Sequence, residues 1–270
     1  SICSKDEASD FATFFPCKRK DHVATGAGLR EHFGKDIGKA RSFYCDGAKA
    51  FVKIANVMRI PARLSTPHTP TSNSRQESWM RTLGDGIRTM LYSSGLSLAW
   101  WNYAGQYYCC AHNLLKVNKR TGKTPYEFRF PKQKIDKLTL HPFGCRVTYV
   151  PHKTIGHKNS EPFAQQRGLE GIFLGFYVPP GEPFSKEALI APMANFTSDA
   201  NTYRVIRTRD FRFHGIEFPL RTLRLKRQLE DYRKVNPEIS EEDYRIMIFG
   251  PQQGESNVKD PSEDAKLILD

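Results

Sequence analysis

The 270-residue sequence lacks several features that mark whole classes of protein. It has no run of about 18 apolar residues, which excludes an ordinary transmembrane helix. It has no basic-then-apolar amino terminus of the secretory kind. It also has no internal repeat, and Gly26-x-Gly28 does not extend into a Gly-rich nucleotide motif. We therefore expect a protein that is not secreted, does not enter a membrane and resides in the nucleus or cytoplasm.

Six cysteines are present, but none of them belongs to a recognisable framework. The sequence contains no CxxC and no Cys/His cluster with the spacing of a zinc site. Cys109 and Cys110 are adjacent, which rarely suits a mutual disulfide. We expect free, buried thiols in a reducing compartment.

Positive charge is in excess, because 41 Lys and Arg residues stand against 29 Asp and Glu residues, a net charge of +12. The excess is confined to residues 1–227, which hold 36 basic and 18 acidic side chains, whereas 228–270 hold 5 and 11. A basic body with an acidic tail favours a polyanionic partner, most often nucleic acid. The alternative is a solvated basic surface.

The first half of the chain has the mixed pattern of an α/β region. Apolar residues recur at helical spacing in long segments and cluster in short runs typical of strands. We expect Trp79, Trp101 and Tyr107 to lie in the core. The predicted elements are strand pieces in 1–20, a helix over 21–33 capped by Asp21, a short buried strand over 41–46, a helix over 48–58, a strand over 59–65 and helices over 74–92 and 97–116.

From Phe143 the pattern changes to short β-branched or aromatic runs separated by Gly, Pro or polar turns. Five such runs within some 75 residues predict a small barrel. From about residue 220 the chain becomes helical and charged, and then polar, acidic and poor in aromatic residues, which predicts a disordered end. The five predicted strands cover 144–150, 171–178, 188–193, 202–208 and 209–213.

Two carboxylates lie at positions where they could share a metal ion. Asp46 ends the predicted strand over 41–46, and Glu77 lies on the helix that follows the Thr/Pro-rich loop TPHTPTSNS. A strand-end Asp and a helix Glu can converge to bind Mg²⁺ or Mn²⁺, which prefer hard oxygen ligands. A pair of such ions activates a nucleophilic oxygen and stabilises the leaving oxygen of a phosphodiester. By spacing alone, two ordinary surface carboxylates are the alternative.

Several motifs resemble the integrase region of copia-type long-terminal-repeat retrotransposon polyproteins. TPHTPTSNSRQESWMRT at 66–82 resembles the family's TPHTP segment, and DGAKAF at 46–51 resembles the end of its second catalytic strand. KTPYEFRF at 123–130 and HPFGCRVTYV at 141–150 resemble later family segments, and the likeness covers about 1–215.

The resemblance implies a fold class and a reaction. We expect a ribonuclease H-like integrase core without its first strand over 1–135, a small SH3-like β-barrel over 138–216 and a charged helical to disordered tail over 217–270. The family reaction is metal-dependent transfer of a 3′ DNA end into target DNA. It would place Asp46 and Glu77 as catalytic metal ligands for Mg²⁺ or Mn²⁺, with double-stranded DNA and further copies of the chain as partners.

The sequence departs from the family at the site itself. The first catalytic Asp has no counterpart, so the chain is expected to begin after the first catalytic strand, which would impair strand transfer. Ser74 and Ser78 replace the usual Gly and Arg of the TPHTP segment. Three hypotheses follow: an integrase-derived enzyme completed upstream, an inactive relic that still binds DNA, or a protein-interaction module.

Further polar residues near these motifs are candidates for contact with nucleic acid. His68 either positions DNA or packs within its loop. Arg75 and Arg81 contact phosphates or solvate a helix face, and a basic turn after the second long helix contacts the DNA backbone or is a solvated loop. The basic residues of that turn are Lys116, Lys119, Arg120 and Lys123.

Overall fold

The computed structural model describes residues 1–45, 47–66, 74–133, 140–150, 168–197, 203–237, 240, 242–243 and 246. Contacts group the chain into two units, Ser1–Arg221 and Thr222–Asp270. Of the described residues, none forms a helix with the length and apolar character needed to cross a membrane.

The first unit begins with an α/β region and continues into a β-rich region. The α/β region contains β1 (Ile2–Lys5), β2 (Ala12–Phe15), α1 (His22–Phe33), β3 (Phe43–Cys45), α2 (Lys49–Val57), β4 (Ala62–Leu64), α3 (Ser74–Ser94), α4 (Trp101–Leu115) and α5 (Pro125–Arg129). The β-rich region contains β5 (Arg146–Tyr149), β6 (Leu169–Tyr177), β7 (Glu187–Pro192), α6 (Ala194–Thr197), β8 (Ile206–Thr208) and β9 (Phe211–Phe213). The last helix, α7 (Pro219–Val235), spans the boundary between the units.

Helix α1 is capped by Asp21 at its start and by Gly34 at its end. Its predicted N-cap is confirmed, because the Asp21 carboxylate accepts a hydrogen bond from the Ala24 N–H at 2.8 Å. The helix stops at Gly34, whose φ of 57° is costly for other residues. A Cβ at Gly34 would also lie 2.7 Å from the Pro180 carbonyl oxygen. Glycine therefore lets the end of α1 approach the loop after β6.

The strands of the α/β region form two separate pairs. β1 and β2 are antiparallel, and β3 and β4 are parallel. The prediction of a buried strand over 41–46 is wrong in its burial, because Tyr44 is 46% exposed and Cys45 is the buried residue of β3. A parallel strand is normally buried by further strands and by helices on both faces. β3 pairs with a single described strand, β4, and the side chains of β4 are themselves exposed.

Helices α3 and α4 pack against each other and confirm the two long predicted helices. Trp79 and Tyr107 are each 5% exposed, so their prediction as core residues is confirmed. Trp101 is half-buried and packs edge-on against Phe14 of β2. Phe14 also lies against Gly105 of α4, where a Cβ would come within 2.5 Å of its ring. The missing side chain therefore lets β2 approach α4 closely.

All five strands predicted after Phe143 are present and form one antiparallel sheet in the order β8-β7-β6-β5-β9. The first strand of this region lies beside the last, as it does in a rolled sheet. Among the described residues, however, no ladder joins the two edge strands, β8 and β9, so the sheet is not a closed barrel. One face of the sheet is fully buried at Val147, Phe173 and Ile190, each 0% exposed.

The chain after the sheet is a helix whose side chains are mostly exposed. α7 buries Leu220 near its start, in the first unit. The segment predicted to be disordered, QQGESNVKDPSEDAK at 252–266, lies outside the described residues.

The Asn113 side chain on α4 forms two hydrogen bonds to the backbone of β2. Its amide donates to the Ala12 carbonyl and accepts from the Ala12 N–H, both at 2.8 Å. We expect Asn113→Ala to lower the free energy of unfolding by about 2–4 kcal/mol, since each buried backbone group left unpaired costs about 1–3 kcal/mol. Urea denaturation measures this change. Asn56→Ala, at an exposed position of α2, is the matched control and should change it by less than about 0.5 kcal/mol.

Candidate nucleic-acid interface

Of the two predicted catalytic carboxylates, the structure describes Glu77 but not Asp46. Glu77 lies in the first turn of α3 with its side chain exposed to solvent. Asp46 lies outside the described residues, and Cys45 before it ends β3. The pairing of these two carboxylates stays a prediction.

The described residues do not assemble a metal site. No group of three His, Cys, Asp or Glu side chains converges in the part of the chain that the structure describes. Glu77 offers a hard carboxylate oxygen, as Mg²⁺ requires, but one carboxylate is not sufficient to hold the ion against water.

The predicted DNA contacts on α3 point in different directions. Arg75 and Arg81 are both exposed, but they lie about 120° apart around the helix at 100° per residue. Glu77 lies about 160° from Arg75 by the same geometry. His68, in the loop before the helix, lies outside the described residues. Arg75 therefore belongs to a different surface from Glu77.

A groove between β1, α3 and α4 receives Arg75. Its volume is about 730 Å³. It contains three basic residues from three elements, together with hydroxyl and aromatic side chains. The residues that line it are Lys5, Arg75 and Lys116, the hydroxyl residues Ser74, Ser78 and Thr82, and the aromatic residues Trp79, Tyr108 and His112. Two predicted contacts, Arg75 and Lys116, are thus brought together with Lys5, which the sequence did not single out.

Two basic residues of the groove form ion pairs with carboxylates of the β1–β2 connection. Arg75 Nη1 lies 3.3 Å from the Glu7 carboxylate, but both side chains are at least 80% exposed. A pair this exposed contributes about 1 kcal/mol or less. Lys5 is more enclosed, with its ammonium 3.1 Å from the Asp10 carboxylate and 4.9 Å from the centre of the Trp79 ring. A phosphate can therefore replace Glu7 beside Arg75 at small cost.

Asp10 connects the groove to the basic turn that follows α4. Its second carboxylate oxygen accepts from the Asn118 side-chain amide at 3.0 Å. The Asn118 side chain in turn accepts from the Arg120 N–H at 2.9 Å, and its backbone N–H donates to the Lys123 carbonyl at 2.9 Å. Gly122 closes the turn with φ of 64°. The turn is thus fixed beside the groove.

The basic side chains of that turn are directed to solvent. Lys116, Lys119, Arg120 and Lys123 are all exposed. We call the groove and this turn together the basic groove surface. It contains five of the seven predicted nucleic-acid contacts, namely Arg75, Lys116, Lys119, Arg120 and Lys123, whereas Arg81 lies on another face of α3 and His68 is not described.

His112 is the titratable aromatic residue of the groove. Burial, followed by the charge of Lys116, lowers its pKa to about 4. Its Nε2 lies 3.3 Å from the Asp10 carbonyl oxygen, so that nitrogen carries the proton and donates. At neutral pH the ring is uncharged, and the positive charge of the groove comes from Lys5, Arg75 and Lys116.

Three arginines of the five-stranded sheet and its β8–β9 turn pair with carboxylates. Arg207 pairs with Glu187, and Arg209 lies 2.7 Å from the same carboxylate. Arg207 also stacks over the Tyr177 ring at 3.8 Å. Arg146 pairs with both Glu170 and Glu217. These guanidinium groups are matched by carboxylates of the sheet and its flanking loops.

Comparison with known proteins finds a distant structural likeness. No protein-family model and no curated protein matches the chain. Among solved structures, the chain is similar to a component of a simian T-cell lymphotropic virus intasome solved in complex with PP2A regulatory subunit B56 gamma. The identity is 15%, the TM-score is 0.38, and the alignment covers 77% of this chain and 70% of the other. A TM-score below 0.5 does not establish a shared fold.

The histidines of the first unit predict a pH dependence of stability. Burial lowers the pKa of His32 to about 3 and that of His112 to about 4, from 6.5 in an unfolded chain. The unfolded state then binds more protons below pH 6.5, so the free energy of unfolding falls as the pH is lowered toward 4. Urea denaturation at stepped pH measures this fall, and His112→Gln should make it shallower. Equal slopes for the two proteins would contradict the assignment.

Proposed function

We propose that the chain binds nucleic acid through the basic groove surface. The observation that carries this proposal is the meeting of Lys5, Arg75 and Lys116 from three elements around one groove. Lys and Arg side chains contact phosphates, and Ser and Thr hydroxyls add neutral hydrogen bonds to phosphate oxygens. Ser78 and Thr82 lie one turn apart within about 60° of Arg75, on the face of α3 that lines the groove.

The proposed partner is double-stranded DNA. The groove residues carry few features that read bases, because Trp79 is buried and His112 is neutral and bonded to the backbone. Binding should therefore be insensitive to sequence and governed by phosphate charge. The resemblance to copia-type integrases is the reason to prefer DNA, and the basic excess of residues 1–227 is compatible with it.

The proposal also includes two domains and self-association of the chain. We infer a ribonuclease H-like core over 1–135 and an SH3-like region over 138–216, with the adjacency of β5 and β9 in favour of the latter. Self-association is proposed through β3 and β4, where Tyr44 and Leu64 are about half exposed.

A catalytic role is proposed for the other side of α3. Asp46 and Glu77 would hold Mg²⁺ or Mn²⁺, and the cation would supply the Lewis acidity that strand transfer needs. Glu77 lies about 160° from Arg75 around α3. The DNA backbone bound in the groove would therefore be on a different side of the helix from the phosphate that reacts at Glu77. Two carboxylates alone would hold the cation weakly, and strand transfer would then be impaired.

The binding surface is tested by matched substitutions on α3. Arg75→Ala should weaken binding to duplex DNA of any sequence and reduce the slope of log K against log salt by about one. Lys116→Ala in the same chain should reduce the slope by about one more. Fluorescence anisotropy of a labelled duplex over a range of salt measures both.

Arg88→Ala is the control, because Arg88 is exposed on the same helix but lies about 140° from Arg75. It removes the same charge and should leave the slope unchanged. If Arg88→Ala and Arg75→Ala weaken binding equally, the attraction comes from net charge and the basic groove surface is not the interface.

The cation site is tested by stability. Mg²⁺ or Mn²⁺ at about 100 times its Kd should raise the free energy of unfolding by about 2.7 kcal/mol, since it binds the folded chain. Glu77→Gln should abolish the increase, while Glu7→Gln, another exposed carboxylate, should retain it. An equal increase in all three proteins would show nonspecific binding and refute the site.

A further inference from the structure

Two thiols meet beneath the basic groove surface. Cys3 on β1 is half-buried, and Cys109 on α4 is 3% exposed. Both pack in one cluster with Trp79, Phe14 and Ala12. The Cys3 sulfur accepts a hydrogen bond from the Trp79 indole N–H at 3.0 Å. Phe14, the register partner of Cys3 on β2, packs against Gly105 of α4, one helical turn before Cys109. The fold thus joins two cysteines 106 positions apart in the sequence.

The surroundings shift the pKa values of the two thiols in opposite directions. The hydrogen bond from Cys109 is the largest influence on Cys3, and together with the Trp79 N–H and the Lys5 ammonium it lowers the pKa of Cys3 against the effect of burial. The pKa of Cys109 is raised by its hydrogen bond to Cys3 and by burial. The lower pKa favours Cys3 over Cys109 as the nucleophile of the pair.

We propose that Cys3 and Cys109 are a redox-active pair that a hydroperoxide converts into a reversible disulfide. The Cys3 thiolate attacks the peroxide oxygen, so an S–O bond forms, the O–O bond breaks and water or an alcohol leaves after protonation. The Cys109 thiol then attacks the Cys3 sulfenic acid, the S–S bond forms, and the S–O bond breaks with loss of water. Two thiols lose two electrons, and the peroxide gains them.

Cys110 and Cys145 do not compete for this reaction. Burial raises the pKa of Cys110 and of Cys145 to about 12, which keeps both thiols protonated. Cys110 packs in a separate cluster with Phe11, Leu114 and Tyr126. A metal is not the occupant favoured by the pair, because no third His, Cys, Asp or Glu joins it among the described residues.

Oxidation of the two thiols would affect the groove through β1, which carries both Cys3 and Lys5. Cys3 and Lys5 lie two positions apart on the strand and so point to the same face. Lys5 lies over the Trp79 ring that donates to Cys3. A disulfide would tie β1 to α4 and change the sulfur that Trp79 contacts. The proposal does not depend on binding of nucleic acid, since its test concerns the thiols alone.

The test uses the full reduced chain with a small excess of hydrogen peroxide. After alkylation of the remaining thiols and digestion with trypsin without reductant, mass spectrometry should find peptides 1–5 and 89–116 joined by a disulfide. Free thiols should fall from six to four, because one disulfide consumes two of the six cysteines. A thiol reductant should restore all six.

Variants assign the bond and protect the test from a folding defect. Cys110→Ser should retain the cross-link, which identifies Cys109 within peptide 89–116. Cys3→Ser should prevent it, and Cys17→Ser is the control that should retain it. In the unmutated chain, where folding is not altered, iodoacetamide should label Cys3 faster than Cys110 or Cys145. Cross-links through Cys110, intermolecular disulfides alone, or equal loss of all six thiols would overturn the proposal.

Discussion

The close packing of α4 against strands on two of its sides is the constraint on which the rest of the first unit depends. Gly105 admits the Phe14 ring of β2, while Tyr107 contacts Phe173 of β6 edge-on with ring centres 5.6 Å apart. The Tyr107 hydroxyl also donates to the His141 carbonyl. A side chain at Gly105 would push β2 away, and with it β1. Because β1 carries Cys3 and Lys5, both the thiol pair and the groove depend on this contact.

Local patterns predicted most of the elements but not their burial or closure. The helix over 21–33, the two long helices and the five later strands were predicted because apolar spacing and turn residues are properties of neighbouring positions. The exposure of Tyr44 was missed, since it depends on which strands lie beside β3. The open edges of the five-stranded sheet were missed for the same reason, because ring closure depends on pairing between the most distant strands.

The groove could be predicted only in part for a similar reason. Arg75 and Lys116 were found because they stand in or beside recognisable motifs. Lys5 was not, since no local pattern shows that β1 lies against α3 and α4. Asp10 was also missed, although it contacts Lys5, His112 and Asn118. One signal was the three acidic residues in the short β1–β2 connection, but the His112 and Asn118 partners of Asp10 are some 100 positions away.

Helix α3 therefore has two surfaces of different chemistry: a basic face on the groove and a face that carries Glu77. The most direct test of this account is amide hydrogen exchange of the chain with and without duplex DNA, read by mass spectrometry. The account predicts that DNA slows exchange in 2–5, in the first turns of α3 and in 116–123, and leaves β8 and β9 unchanged. Protection confined to β8 and β9, or none in these three segments with DNA bound, would contradict it.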